Sequence, residues 1–190
     1  MRPRRRALLV GQALECLRER NLSQVLTNAQ RLPKREAEAI LRALPSTVTP
    51  AEFSLMLSVY ERWVARERGR YGAPARYARA SALAHAILRS TETRHLQQLR
   101  ATLKRIRMVP SSRSLLLALL RHGRICDVRL VLDRIAREPD TIDYWNHTEL
   151  CRVAARQLEK ANTLLPRFLK GIVAKQEFWK DMRSEETRSA

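Results

Sequence analysis

Apolar residues recur at intervals of three and four along nearly the whole chain, and no stretch alternates apolar with polar long enough to suggest a strand. The spacing predicts helices over residues 7–19, 22–31, 34–44, 50–68, 75–89, 92–107, 112–122, 126–138, 147–162 and 164–181. Pro33, Pro45, Pro110 and Pro139 fall between these segments, where a missing amide and a restricted preceding residue favour a break. The expected fold is all-α: a single compact or elongated domain of about 8–10 short helices, with an irregular array of α-hairpins as the arrangement its turns suggest.

Individual segments differ in what they ask of their neighbours. Thr49-Pro50-Ala51-Glu52 has the spacing of a reciprocal cap, with proline at the first helical position. The helix it starts places Phe53, Met56, Leu57, Tyr60, Trp63 and Val64 on one stripe that needs a partner. The alanines at 75, 78, 80, 82, 84 and 86 make a slim helix that neighbours can approach closely. Leu115, Leu116, Leu117, Leu119 and Leu120 leave residues 112–122 almost no polar face, so this helix should be the most enclosed. Gly123 is expected to stop it in a left-handed conformation. The next helix turns Val128, Val131, Leu132 and Ile135 inward, with Asp127, Arg129, Asp133 and Arg137 as a self-neutralising outer ladder.

The stretch LLLALLRHGRICDVRLVLDRIAREP, a leucine-rich helix, a glycine turn, a second helix with spaced aliphatics and a terminal proline, resembles one helical hairpin of the tetratricopeptide and pentatricopeptide class. ALECLRERNLSQVLTNAQRLP follows the same plan more loosely. The resemblance covers some 45 residues and lacks the 34- or 35-residue period of those families. It implies a helical array whose concave face takes a peptide or a nucleic-acid strand.

Charge adds the strongest functional signal. Thirty-seven basic against nineteen acidic residues give a net charge of +18. Residues 68–126 hold thirteen of the basic side chains and one acid, Glu92, whereas residues 127–190 hold twelve and eleven. Thirty-one of the basic residues are arginine, which a GC-rich genome can produce without selection for binding. Such a bias does not explain why acids vanish from the middle third. The chain therefore divides into a basic tail, 1–6, a helical domain, 7–181, whose acid-poor region is 68–126, and a C-terminal tail, 182–190. In TRHLQQLRATLKRIRM, Leu96, Leu99, Leu103 and Ile106 form the buried stripe, and Arg100, Lys104 and Arg107 follow an adjacent face.

The expected function is non-enzymatic binding of nucleic acid, RNA slightly before DNA, through the phosphate backbone and with little base specificity. The expected contacts are Arg70, Arg76, Arg79, Arg94, Arg100, Lys104, Arg105 and Arg107. Long arginine stems that solvate a helix face, or pair with acids of the C-terminal third, are the plainer reading of the same residues. The rival function is a basic helical scaffold or adaptor for an acidic protein.

Other chemistry finds less support. His122 with Cys126 and His147 with Cys151 share a four-residue spacing and could complete a Cys2His2 set, but Gly123 interrupts the first pair and no CxxC occurs. The preferred reading is no metal and no cofactor. Glycine-rich phosphate loops, HExxH and GxSxG are all missing, so no enzyme is expected. The longest apolar run is six residues, far below the roughly 20 that cross a bilayer, which argues against integral membrane association. Three scattered cysteines fit a reducing, intracellular setting, cytoplasmic or nuclear, with an arginine-rich mitochondrial leader as the alternative for the N-terminus.

Overall fold

A computed structural model describes residues 3–66, 78–137 and 144–160. Among these residues the secondary structure is entirely helical: α1 Pro3–Arg18, α2 Leu22–Arg31, α3 Lys34–Arg42, α4 Pro50–Arg66, α5 Ala78–Ser90, α6 Leu96–Arg105, α7 Ser112–His122, α8 Ile125–Arg137 and α9 Tyr144–Lys160, with a short 3-10 turn at Thr93–His95. The helix expected over 164–181 lies outside the described residues. α1 begins at Pro3, a residue suited to a first helical turn, and takes in Arg4, Arg5 and Arg6.

Local chemistry sets the boundaries. Arg20, at φ 56°, ends the turn after α1, with Asn21 N–H donating to the Cys16 carbonyl and Arg20 N–H to that of Leu17. This is a Schellman closure made without glycine. Asn21 then caps α2 by accepting from Gln24 N–H at 3.2 Å. The cap read from the sequence at α4 is present: Thr49 N–H donates to Glu52 Oε2 at 2.7 Å, and Glu52 N–H to Thr49 Oγ1 at 3.2 Å. The Thr49 amide, more than the opposing effect of burial, holds the Glu52 carboxyl below its ordinary pKa.

The helices form two layers. α2, α4 and α6 pack in succession, and α3, α5, α7 and α9 form the second row. Each even-numbered helix also packs on the odd-numbered helix that follows it, and α1 covers α2 and α3 at one end. Cross-links show that like-numbered neighbours run the same way. Arg94 Nη2 reaches the Val48 carbonyl, Gln98 Nε2 that of Pro50, and Arg105 Nη2 the Glu61 carboxylate, so positions rise together along α4 and α6. Arg100 with Asp127 and Arg134 with Ile106 set α8 beside α6 in the same sense. This is a hairpin array of irregular spacing: the cross-linked residues lie 44 to 48 apart between α4 and α6, but 27 or 28 apart between α6 and α8. No single period could have surfaced in the sequence.

The core runs through the array. Phe53, Met56, Leu57, Tyr60, Trp63 and Val64 are all buried, as are Ala80, Ala82, Ala84 and Ala86 of slim α5, which packs on α3, α4 and α7. Residues Ser114 to Leu120 of α7 are buried without exception. Tyr60 Oη meets Ser111 Oγ at 2.9 Å and Ser112 Oγ at 3.2 Å, giving a polar tip deep in the core its partners. His95 is fully buried and stacks on Phe53, ring centroids 4.3 Å apart and planes 8° from parallel.

Three details differ from the sequence reading. The segment 92–107 is not one helix: Glu92 and His95 cap each other, a 3-10 turn intervenes, and α6 ends at Arg105. Gly123 is extended, at φ −84° and ψ 177°, instead of left-handed. Its requirement is space, because a Cβ there would lie 2.7 Å from Asp127 Cβ and closer still to the Leu119 carbonyl oxygen. Asp127 does not join the solvated ladder of Arg129, Asp133 and Arg137; it is 2% exposed.

Candidate nucleic-acid interface

The burial of Asp127 follows from its two jobs. Its Oδ2 accepts the Arg124 N–H at 2.7 Å, capping α8. Its two oxygens also receive Arg100 Nε at 2.5 Å and Nη2 at 2.7 Å. Burial pushes the carboxyl pKa up, but the Arg100 and Arg124 hydrogen bonds outweigh it and leave the group below its ordinary range. The same bond raises the Arg100 pKa. Arg100 is thus held by a bidentate pair at the junction of α6 and α8.

The other expected phosphate contacts differ in what they meet. Arg79 donates Nη2 to the carbonyl of Leu32, the residue that closes α2. Arg94 bonds the Val48 carbonyl at 3.1 Å and Glu92 at 3.2 Å. Arg105 pairs with Glu61 at 2.6 Å. Lys104 is exposed on the last turn of α6. Arg107 is exposed as well, but sits past Ile106, whose extended backbone (ψ 148°) closes the helix, so it does not continue the Arg100–Lys104 face. Arg70 and Arg76 lie outside the described residues.

A pattern missed in the sequence explains much of this. Helix C-termini present carbonyls with no intrahelical partner and a partial negative charge. Arginines from other helices cap three of them: Arg79 of α5 at Leu32 after α2, Arg89 of α5 at Arg42 and Leu44 around the end of α3 (2.8 and 3.4 Å), and Arg134 of α8 at Ile106 after α6 (2.6 Å). Part of the arginine excess is therefore architectural. The signal in the sequence is an arginine 47 residues after Leu32 and after Arg42 but 28 after Ile106, which does not stand out among so many arginines.

Exposed cations of the even-numbered helices include Arg31 at the end of α2, Arg62 on α4, Lys104, Arg105 and Arg107 at the end of α6, and Arg124, Arg129 and Arg137 at the start of and along α8. On the other layer, a groove between α3 and α5 is lined by Glu38, Arg42, Ser81, Ala82, His85 and Arg89, and sequence reading did not single it out.

The residues of the metal alternative are dispersed in environment. His122 and Cys126 are exposed, Cys151 is fully buried with its thiol pKa pushed up to about 11 by burial, and the side chain of His147 lies outside the described residues. Among the described residues no three His, Cys, Asp or Glu side chains gather as a metal site. Nor is any described helix long and apolar enough to cross a membrane. Comparison of the chain with protein-family models, with curated proteins and with solved structures finds no match in any of the three.

Proposed function

We propose that this protein is a non-enzymatic nucleic-acid-binding helical array that grips the sugar-phosphate backbone of RNA, or less favourably DNA, with little base specificity. The observation that carries this reading is the set of exposed cations on and flanking α4, α6 and α8, which includes Arg62, Lys104, Arg107, Arg129 and Arg137. These helices run the same way and are cross-linked by the Arg105–Glu61 and Arg100–Asp127 pairs, the arrangement that a strand crossing all three would need. Asp133 is the acid exposed among them on α8. The net charge of +18 strengthens long-range attraction of a polyanion. Arg79, Arg94, Arg100 and Arg105 then serve as the frame that sets the helices, and the exposed end of α6, with Lys104 and Arg107, offers the contact.

A second reading draws on α1, where Leu8 and Leu14 are 61% and 44% exposed beside Arg4, Arg5 and Arg6. An apolar and basic terminal helix fits an acidic, amphipathic protein partner, as an adaptor would require. A pull-down from nuclease-treated lysate, with retained protein and added RNA both measured, separates the two. Capture of RNA lost on Lys104→Glu with Arg107→Glu supports the first reading. Retention of one defined protein, lost on Leu8→Glu with no RNA capture, supports the second.

A further inference from the structure

Where α3 and α5 lie side by side, their flanks enclose an open groove of about 530 Å3, in the size range of small-molecule sites and ample for one nucleotide. Its chemistry is anionophilic. Arg89 lies along one end, held by its bonds to the Arg42 and Leu44 carbonyls. The Arg42 side chain is 74% exposed, its ion pair being a 3.8 Å approach to Glu38, so its guanidinium can turn toward a ligand at little cost. His85, one turn before Arg89 on α5, shares the lining and feels both guanidinium groups; its Nδ1 is 3.4 Å from Ser114 Oγ of α7, which leaves Nε2 as the nitrogen open to a ligand. Ser81 adds a hydroxyl to the lining, and Ala82 an apolar wall.

We propose that this groove binds a phosphate monoester, with Arg42 and Arg89 taking the phosphoryl oxygens and His85 Nε2 donating the third hydrogen bond. The site is on the opposite layer from the α6 surface and does not depend on it.

The electrostatics around His85 agree with the geometry. Burial first, then the guanidinium groups of Arg113, Arg42 and Arg89, lowers its pKa. The charged groups facing it come from three elements: Arg42 and Glu38 of α3, Arg89 of α5 itself, and Arg113 of α7, which pairs with Glu149 of α9. Without ligand, the arginines repel a proton from the ring. A phosphate dianion offsets that repulsion, so binding should draw a proton onto His85 and be tighter at pH 6 than at pH 8. Glu38, shared between Lys34 at 3.9 Å and Arg42 at 3.8 Å, works against the anion.

The test is a titration of the full chain with adenosine 5′-monophosphate, inorganic phosphate and adenosine, following the imidazole proton resonances by NMR, with His85→Asn to assign the His85 signals. Adenosine monophosphate and phosphate should shift the His85 signals, raise the His85 pKa and compete with one another, and adenosine should do none of these. Arg42→Gln should weaken binding at least fivefold, and Glu38→Gln should tighten it about two- to fivefold, a gain that a purely structural role would not produce. Parallel titrations with a short oligonucleotide carrying either a 5′-phosphate or a 5′-hydroxyl identify the source: preference for the phosphorylated strand assigns a strand terminus, and exclusion of both strands assigns a free nucleotide. Silence of His85 at millimolar adenosine monophosphate and pH 6, or binding unaffected by Arg42→Gln, overturns the proposal. The Lys104→Glu, Arg107→Glu protein should bind adenosine monophosphate normally whatever becomes of its strand binding, so this site and the α6 surface fail or stand separately.

Discussion

Arg100 and Asp127 meet in a two-point ion pair, Nε to Oδ1 and Nη2 to Oδ2, with the carboxylate 2% exposed and the arginine side chain 33% exposed. They come from the two sides of the charge boundary in the sequence, one in the acid-poor middle third and the other the first acid after it. The middle third is therefore less unbalanced in space than along the chain. Glu61 does the same for Arg105 from the N-terminal side.

Arg100→Gln should leave the Asp127 carboxylate buried with only the Arg124 amide as a strong partner. The expected cost is about 2–3 kcal/mol, below the usual 3–5 for breaking a buried pair because Arg100 is partly solvated. Urea denaturation read by circular dichroism measures it.

Acid sensitivity follows from the same pair. The Asp127 pKa is lowered in the folded state, so its contribution to stability is complete above the unfolded value of about 3.9 and is lost as pH falls through the lower folded value. Arg100→Gln removes the main depressing bond, so its acid unfolding should begin at a higher pH than that of wild type. Identical acid transitions in the two proteins would show that the pair is not formed in solution.

Gly123→Ala places a methyl group against the Leu119 carbonyl and Asp127 Cβ. Overpacking of this kind costs about 1–3 kcal/mol, and the displaced Asp127 should also loosen the Arg100 bond. A double mutant with Arg100→Gln should lose less than the sum of the single losses.

The arginine clamps predict a graded response. Arg134→Gln, which removes the bond to the Ile106 carbonyl, should destabilise by about 1–2 kcal/mol. Arg18→Gln, on the exposed last turn of α1, should change stability by less than about 0.5 kcal/mol. Thermal melts of the two variants side by side check whether arginine content is partly architectural.

Legibility in the sequence tracked the range of the interaction. The Thr49–Glu52 cap and the stripes of α4, α6 and α8 are contacts three or four residues long, and spacing alone exposed them. The enclosure of α7 was legible because leucine fills nearly every direction around it. Asp127 was misplaced because its alternation with Arg129 and Asp133 looks like a surface ladder, while the residue that draws it inward lies 27 positions upstream. His95 gave no warning: its stacking partner, Phe53, belongs to a different hairpin. In the candidate interface the residue types were readable, but which arginines act as clamps depends on the carbonyl or carboxylate each meets across the array.

The strand-binding proposal is tested most directly by the salt dependence of association between the purified, nuclease-treated protein and a fluorescent single-stranded RNA of mixed sequence. Log K should fall linearly with log salt at a slope of about −3, as release of some four counterions requires. Lys104→Glu with Arg107→Glu should weaken binding and reduce the slope by about one or more, while helicity and the Arg100–Asp127 pair stay intact. No association at about 50 mM salt, or a double variant with unchanged affinity and slope, would contradict the account.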